Sequence, residues 1–460
     1  MAEDYAGVII GLEIHLQLAT KAKLFCECPS DYRNAEINTQ ICPICTSQPG
    51  SKPMSLNKTA VKNLLKLVIA LNGKLDPGAP IAVQRKHYFY PDLPSNYQRT
   101  SKPIAVKGKL GKIGIWELHI EEDPGRYDLK TGKVDYNRSG VPLVETVTAP
   151  DFRSPEEARE FLDELQAITN YLGNIRSEPG SMKVDANISF KGGKRVEVKN
   201  INSFKGVYTA LKYEIVRQKN MFASGIAVEQ ETRHYDEGQG VTTGMRKKET
   251  AEDYRYIPDP DELPLVITKE LIEEAKKEMP ELPRAKVERF VKSYKIREDS
   301  AWVVCGELEL ANLFEKLAKE IDPQKLAFWI SGPLKKQLNY RTLFFKESGL
   351  RESDIKTLSS KFIAGEITDK VMEQKLIEML NAQASGKHFE LKLEEVIKIS
   401  DSVELEKIVK QAIASNPKVV EDFKAGNDKS LNFLAGQIMK QTKGRADAQA
   451  VMQLIRKLVQ

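Results

Sequence analysis

Apolar and polar residues alternate with a period of two along Gly11-Leu12-Glu13-Ile14-His15-Leu16-Gln17-Leu18, the polar set being Glu13, His15 and Gln17. That period predicts a β-strand with one buried face and all three polar side chains on the other. Trp116-Glu117-Leu118-His119-Ile120-Glu121 repeats the pattern and runs into Glu122 and Asp123. Strict alternation puts Glu121, but not Glu122, on the His119 face, so ligation by both would require a bulge or strand end at that point. Two more segments behave alike. Lys183, Asp185, Asn187 and Ser189 alternate with Val184, Ala186 and Ile188, and Arg195, Glu197 and Lys199 alternate with Val196 and Val198. A solvated sheet face mixes Thr, Lys and Arg with acids, whereas two neighbouring strands carrying Glu, His, Glu and Asp form a pocket for a hard cation. Four such strands facing one concavity, acids on one side and bases on the other, would suit a nucleotide–metal complex. A plain exposed polar face is the alternative.

The periodicity changes character along the chain. Residues 1–285 hold short strands separated by Gly, Pro and Asn, and the remainder reads as helix, with the break at Leu282-Pro283. Ser154-Pro155-Glu156-Glu157 carries a capping residue, a proline at the first helical position and an acid three residues on, followed by Leu162, Leu165, Ile168 and Leu172. A second helix is expected from near Ser203 past Arg217. Few helices and no regular βαβ alternation predict an α+β fold with a mainly antiparallel sheet. Beyond it, 286–392 reads as a helical domain with a joint at Gly332-Pro333, and 393–460 as a small α-helical tail with turns at Ala425-Gly426-Asn427 and Lys443-Gly444. No internal repeat or low-complexity tract is present.

Length supports this division, since 460 residues exceed one hydrophobic core. No apolar run approaches the ~20 residues of a membrane span, and the first residues lack the basic start of a signal peptide, so a cytoplasmic location is expected. The net charge of +5 is small against 70 basic and 65 acidic residues. Its placement is informative: residues 429–460 hold six bases and one acid. A basic end of this kind fits a polyanion such as RNA, or else a solvated helix face.

Cys26-Glu27-Cys28 and Cys42-Pro43-Ile44-Cys45 bring four of the five cysteines into one loop. In a cytoplasmic chain such a set predicts a tetrahedral zinc ion, structural because four thiolates leave no open position. Cys305 reads as a buried core residue. Arg85-Lys86-His87-Tyr88-Phe89-Tyr90-Pro91-Asp92 concentrates bases and aromatics able to hold phosphates, terminal bases of a nucleic acid or a carboxylate. Arg246, Lys248 and Arg255, the last before a rigid acidic turn, are phosphate-ligand candidates. No Gly-rich phosphate loop occurs, so any ATP must be bound by the sheet.

Together these segments resemble the GatB family, the B subunits of the heterotrimeric aspartyl/glutamyl-tRNA(Asn/Gln) amidotransferases. The resemblance is carried by Gly11-Leu-Glu-Ile-His15, Lys23-Leu-Phe-Cys26, Arg85 to Pro94, Ile120-Glu-Glu-Asp123, Asp135-Tyr-Asn-Arg138, Glu197 to Phe204, Gln230-Glu-Thr-Arg233, Asp253-Tyr-Arg-Tyr256, Val420 to Gly426 and Gly436 to Lys440, in the family's order. Tyr97-Gln98-Arg99-Thr100, Arg176 to Gly180 and Arg85-Lys-His87 resemble the archaeal branch, which favours Asp-tRNA(Asn) as substrate. The resemblance implies a cradle domain that activates the aminoacyl carboxylate with ATP and Mg²⁺. It implies ammonia from a partner amidase, a small third subunit, misacylated tRNA held partly by the tail, and association with the cognate aminoacyl-tRNA synthetase. Carried over by position, Glu13, His15 and one or both of Glu121 and Glu122 would ligate magnesium, and Lys86, Tyr88 and Asp92 would line the pocket where ammonia meets the aminoacyl end. Asp185, Glu197, Lys199, Arg246, Lys248 and Arg255 would serve ATP, and Lys440, Lys443 and Arg445 the tRNA. Two other readings stay open: a zinc-braced RNA-binding adaptor without chemistry, and a ligase acting on free amino acids.

Overall fold

The computed structural model describes residues 5–176, 178, 180–190, 192–247, 254–386, 389, 402–424, 430–442 and 444–459. Contacts divide the chain into two compact units, Met1–Leu282 and Pro283–Gln460.

The first unit is built on an 11-stranded sheet. In chain order its strands are β1 (Val8–Gln17), β2 (Val83–His87), β3 (Tyr97–Ser101), β4 (Ala105–Leu110), β5 (Ile113–Glu122), β6 (Pro142–Thr148), β7 (Met182–Phe190), β8 (Val196–Ile201), β9 (Glu231–Asp236), β10 (Val241–Lys247) and β11 (Ile257–Pro258). They lie in the order β10-β9-β8-β7-β1-β6-β5-β3-β2-β11, and β4 pairs with the first half of β5. Every pair is antiparallel except β8–β9. A parallel pair needs a crossover, and the helix between these strands supplies it.

Three helices cover one face: α1 (Lys58–Ala70), α2 (Pro155–Leu172) and α3 (Phe204–Ala223). Ser154 caps α2 by accepting the Glu157 N–H, with Pro155 in the first turn and Gly173 closing the helix in the left-handed region at φ 59°. Ser203 caps α3 from the Gly206 N–H. Glycine is required there, because a Cβ would sit 2.9 Å from Ser203 Oγ and 3.0 Å from Ile201 Cγ2.

The even-numbered residues of β1, Val8 to Leu16, are 0–1% exposed and share a core with Leu64 and Val68 of α1, Leu162 and Leu165 of α2, and Val207 and Leu211 of α3. At roughly 1.5–3 kcal/mol per large apolar side chain, this burial fixes the register of β1. The odd-numbered residues are thereby committed to the opposite face, which the helices leave open.

The second unit is helical, as its periodicity predicts. Helices Pro283–Tyr294, Leu308–Leu317 and Pro323–Trp329 bury Phe290, Phe314 and Trp329, and Cys305 is buried with them. The expected joint at Gly332-Pro333 is instead a π-helical turn, Ile330–Leu334, through which the chain stays helical into Lys335–Tyr340. A wide turn accommodates the missing proline N–H without a break. A separate apolar core joins Val409, Leu431, Leu434, Ile438, Val451 and Ile455. The expected boundary at 392–393, the turn at 425–427 and Lys443 lie outside the described residues. Among the described residues, no helix is long and apolar enough to cross a membrane.

Candidate active site

The two strands with the Glu/His pattern are not neighbours. β6 lies between them, so β1 and β5 stand roughly 10 Å apart at the usual strand spacing. The middle strand closes the gap with a residue that the motifs did not single out: Glu145 pairs with His15 on one side and His119 on the other. Ligand atoms of His15, Glu121 and Glu145 all lie within 4.8 Å of one another, and His15 Nε2 is 3.8 Å from Glu145 Oε1. Two carboxylates and an imidazole on one side of an open cavity form a donor set for a divalent cation that leaves positions free for substrate oxygens. The sequence signal for Glu145 was one acid in the β-branched stretch Val144-Glu145-Thr146-Val147, too weak to distinguish from a solvated position.

Glu122 does not belong to this set. Its register with Pro142 is regular, as is that of Glu121 with Leu143, so the two acids point to opposite faces. Glu122 accepts the Arg99 backbone N–H at 3.0 Å and its guanidinium at 3.4 Å. Arg99 in turn donates to Asp259 at 2.9 Å, and Arg85 donates to both Asp259 oxygens, at 2.9 and 3.0 Å. Arg85 therefore ties β11 to β2 and is not offered to a phosphate. Glu13 shares the cavity with the triad but stands beside it, accepting from Asn187 at 3.2 Å.

The cavity has two lobes, of about 610 and 330 Å³. Glu13, Lys86, Glu121, Glu145, Lys199 and Tyr254 line both. The larger lobe adds Glu117, His119, Arg195, Glu197 and Thr232, and the smaller adds His15, Tyr88, Asp123, Lys183 and Asp185. Of the sequence-predicted site, Glu13, His15, Lys86, Tyr88, Glu121, Asp185, Glu197 and Lys199 are thus brought together. Asp92 is buried without lining either lobe, and its carbonyl accepts the Gly125 N–H at 2.9 Å. Arg255 is exposed in a left-handed turn at φ 42° and lines neither lobe, whereas its neighbours Tyr254 and Tyr256 both face the larger one. Arg246 lies on the edge strand β10 opposite Thr232, and Lys248 is outside the described residues. Lys440 is exposed and Arg445 half-buried in the second unit.

Charge in the cavity is mutually dependent. Burial and the neighbouring Glu145 push the Glu121 carboxyl up, against the pull of Lys86 and His15. Burial disfavours the Lys86 ammonium, but Glu121 and Glu145 outweigh it and hold the group charged. Lys86 Nζ also sits 5.0 Å above the Tyr254 ring. Lys199 is held charged against burial by Asp185, at 2.9 Å, and Glu197, at 3.6 Å. Burial brings Lys183 down from the usual lysine range, with Arg138 adding to the effect.

The cysteine loop forms a separate, closed set. Sulfurs of Cys26, Cys28, Cys42 and Cys45 lie within 4.8 Å of one another, and Cys42 Sγ is 3.9 Å from Cys45 Sγ. Four thiolates about 2.3 Å from a tetrahedral ion stand about 3.8 Å apart, so the set fits zinc. The hydrogen bond from Cys26 and the Lys23 ammonium bring Cys45 down to about 5. Lys23 is 1% exposed, with Nζ 3.4 Å from Cys45 Sγ and 2.9 Å from the Gln40 carbonyl.

Known proteins place this architecture. Residues 8–273 match the family described as the GatB/GatE catalytic domain, and residues 312–459 match the one described as the GatB domain. The sheet and its acid-lined cavity are thus a GatB/GatE-type catalytic domain. The GatB subunit of an aspartyl/glutamyl-tRNA(Asn/Gln) amidotransferase from Methanothermobacter thermautotrophicus is 48% identical over 98% of this chain and 99% of its own length. Namesakes from Methanobrevibacter smithii and Methanocaldococcus jannaschii are each 47% identical, over 98% and 97% of this chain and 100% and 96% of theirs. The chain belongs to the GatB family of the tRNA-dependent amidotransferases, carbon–nitrogen ligases of more than one subunit, in its archaeal branch.

Proposed function

We propose that the cavity converts the side-chain carboxylate of an aminoacyl group on misacylated tRNA into an amide, in two steps. ATP phosphorylates the carboxylate, and ammonia from a partner amidase displaces the phosphate. The first step is needed because ammonia attacking a free carboxylate would have to expel oxide, whereas an acyl phosphate expels phosphate. The observation that carries this reading is the convergence of His15, Glu121 and Glu145 from three strands beside the charged Lys86.

Magnesium bound by these three residues would neutralise the phosphoryl oxygens and set them in line with the carboxylate. The chain's own residues do the rest. Lys86 and Lys199, held charged by their acidic neighbours, offer ammonium groups to phosphate or carboxylate oxygens. Tyr254 lays its ring against the Lys86 ammonium, and Tyr88 packs edge-on to Tyr254. Thr232 donates to Glu197 at 3.1 Å, keeping that acid turned toward Lys199. A zinc ion in the four-cysteine loop would brace the fold without entering the reaction, since its ligand set is complete.

The small third subunit of the amidotransferase joins the amidase as a partner, and the basic end around Lys440, Lys443 and Arg445 engages the tRNA body. The archaeal resemblance favours Asp-tRNA(Asn) over Glu-tRNA(Gln), and the reaction takes place in the cytoplasm. ATP-dependent conversion of both tRNAs to their amides by the reconstituted complex tests the proposal. Glu145→Gln is expected to abolish conversion while retaining tRNA binding. Undiminished conversion would overturn the site assignment, and no conversion by intact wild-type complex would favour a binding adaptor.

A further inference from the structure

A third cavity adjoins the larger lobe. It holds about 250 Å³ over Gly11, with Ile9, Trp116, Val147, Pro150, Asn187 and Arg195 among its walls. Glu13, Val147 and Arg195 line both spaces, so the two share a wall.

Trp116 escapes the rule that places the rest of β5. Leu118 and Ile120 are buried, and alternation would send Trp116 into the core with them. Instead the pairing with β6 slips: Ile115 lies opposite Thr148 and Glu117 opposite Val147, leaving Trp116 as the extra residue of a bulge. A bulge re-aims a side chain while the strand continues beyond it. Here it turns the indole out of the core, 54% exposed, onto the cavity wall. An indole left half in water forgoes burial that a stacked planar ligand would restore.

The floor complements it. Gly11 shares the face of Glu13 and His15 but presents no side chain, and a Cβ there would meet only Pro150, at an ordinary 3.6 Å. Gly11 is itself buried beneath Pro150, so the floor of the cavity is the Pro150 ring seated on this strip of strand, an apolar surface against which a flat ring can pack. The polar residues of the lining are Glu13, Thr148, Asn187, Ser189 and Arg195. This volume accommodates one ring system and not a whole nucleotide. From Trp116 to Glu121 along β5 is roughly 16 Å at the usual strand rise, a span for an extended chain running from that ring to the triad.

We propose that this cavity holds an adenine ring whose attached chain reaches His15, Glu121 and Glu145. The inference rests on reading those residues as a phosphoryl-transfer centre. Adenine has two sources under that reading: ATP, through its triphosphate, and the terminal adenosine of the tRNA, through its aminoacyl ester.

Equilibrium binding to the full chain tests it with four probes: ATP, inorganic tripolyphosphate, tRNA, and the same tRNA trimmed of its terminal adenosine. Trp116→Ala is expected to weaken ATP or intact tRNA by about five- to a hundredfold, the loss of one base–aromatic stack. Tripolyphosphate and trimmed tRNA should bind as before, and Trp116→Phe should keep most of the affinity. Weakened ATP assigns the ring to the nucleotide, and weakened intact tRNA alone assigns it to the tRNA end. Wild-type affinity of Trp116→Ala for all four probes overturns the site, as does an equal loss of all four. Failure of the wild-type chain to bind either ATP or tRNA overturns the phosphoryl-transfer reading itself, and the inference with it.

Discussion

The four-cysteine loop and the acid-lined cavity both gather side chains of the kinds that can hold a metal ion, and they are built in opposite ways. The loop gathers its four sulfurs between residues 26 and 45, in an arrangement that would enclose an ion on every side. The cavity gathers three donors from β1, β5 and β6 and places them on one side only. A closed set can be encoded locally, because short spacing alone brings the sulfurs together, and it leaves no position for substrate. An open set needs a scaffold that holds donors apart from one another's reach while aiming them at one point. The sheet does this through register: burial of the even-numbered residues of β1 forces His15 outward opposite Glu145.

The largest effect that separates the two regions is expected from neighbouring acids on β5. Glu121→Gln should lower amidation by about three orders of magnitude, the several kcal/mol that a catalytic cation supplies. Glu122→Gln should leave turnover by the folded protein within a few fold and lower only its Tm. Single-turnover assays beside thermal melts check both, and equal losses of turnover would erase the distinction between the two faces.

Cys45→Ser comes next and should act in the reverse sense. Zinc content of the purified chain should fall to none and Tm by on the order of 10 °C, corresponding to about 3–4 kcal/mol, with turnover of the surviving folded fraction unchanged. Loss of turnover without loss of stability would put the loop into the chemistry.

Asp259→Asn probes the brace behind the cavity. It removes the charge that Arg85 and Arg99 share and is expected to cost about 1.5–3 kcal/mol, because the largely buried Arg99 is left with Glu122 alone as a charged partner. Burial raises the Asp259 carboxyl, but hydrogen bonds from Arg85 and the Asp261 N–H, with the charge of Arg99, outweigh it and hold the group below the ordinary aspartate range. A lowered folded value gives stability that is complete above the unfolded value near 3.9 and is lost as pH falls toward the folded one. The wild-type chain should therefore lose stability below about pH 4 more steeply than Asp259→Asn, measured as Tm against pH. The smallest effect is expected at Lys23→Met, which removes the ammonium beside Cys45 and should weaken zinc about 10- to 100-fold in competition with a chelator.

How much of this was legible in the sequence differs between the regions for the same reason. Cys26, Cys28, Cys42 and Cys45 could be read from spacing, and the Ser154 cap and the helix start near Ser203 from local pattern, since each depends on residues a few positions apart. Fold class followed from periodicity. The cavity was half legible: alternation correctly paired Glu13 with His15 and separated Glu121 from Glu122. It could not show that β6 would lie between the two strands, because strand order is a long-range property. Glu145 was hidden for that reason. The stretch from Arg85 to Asp92 was read as able to hold phosphates, bases or a carboxylate, whereas Arg85 itself is taken up by Asp259, far along the chain. Trp116 was assigned with its alternating neighbours because nothing in β5 alone announces a bulge.

Binding of Mn²⁺ to the full chain, followed by electron paramagnetic resonance, tests the central claim most directly, since any zinc in the cysteine loop would be silent in that measurement. One bound ion is expected in the wild type and in Glu122→Gln, and its loss in Glu145→Gln. Wild-type Mn²⁺ affinity in Glu145→Gln would contradict the convergence of His15, Glu121 and Glu145 on one cation.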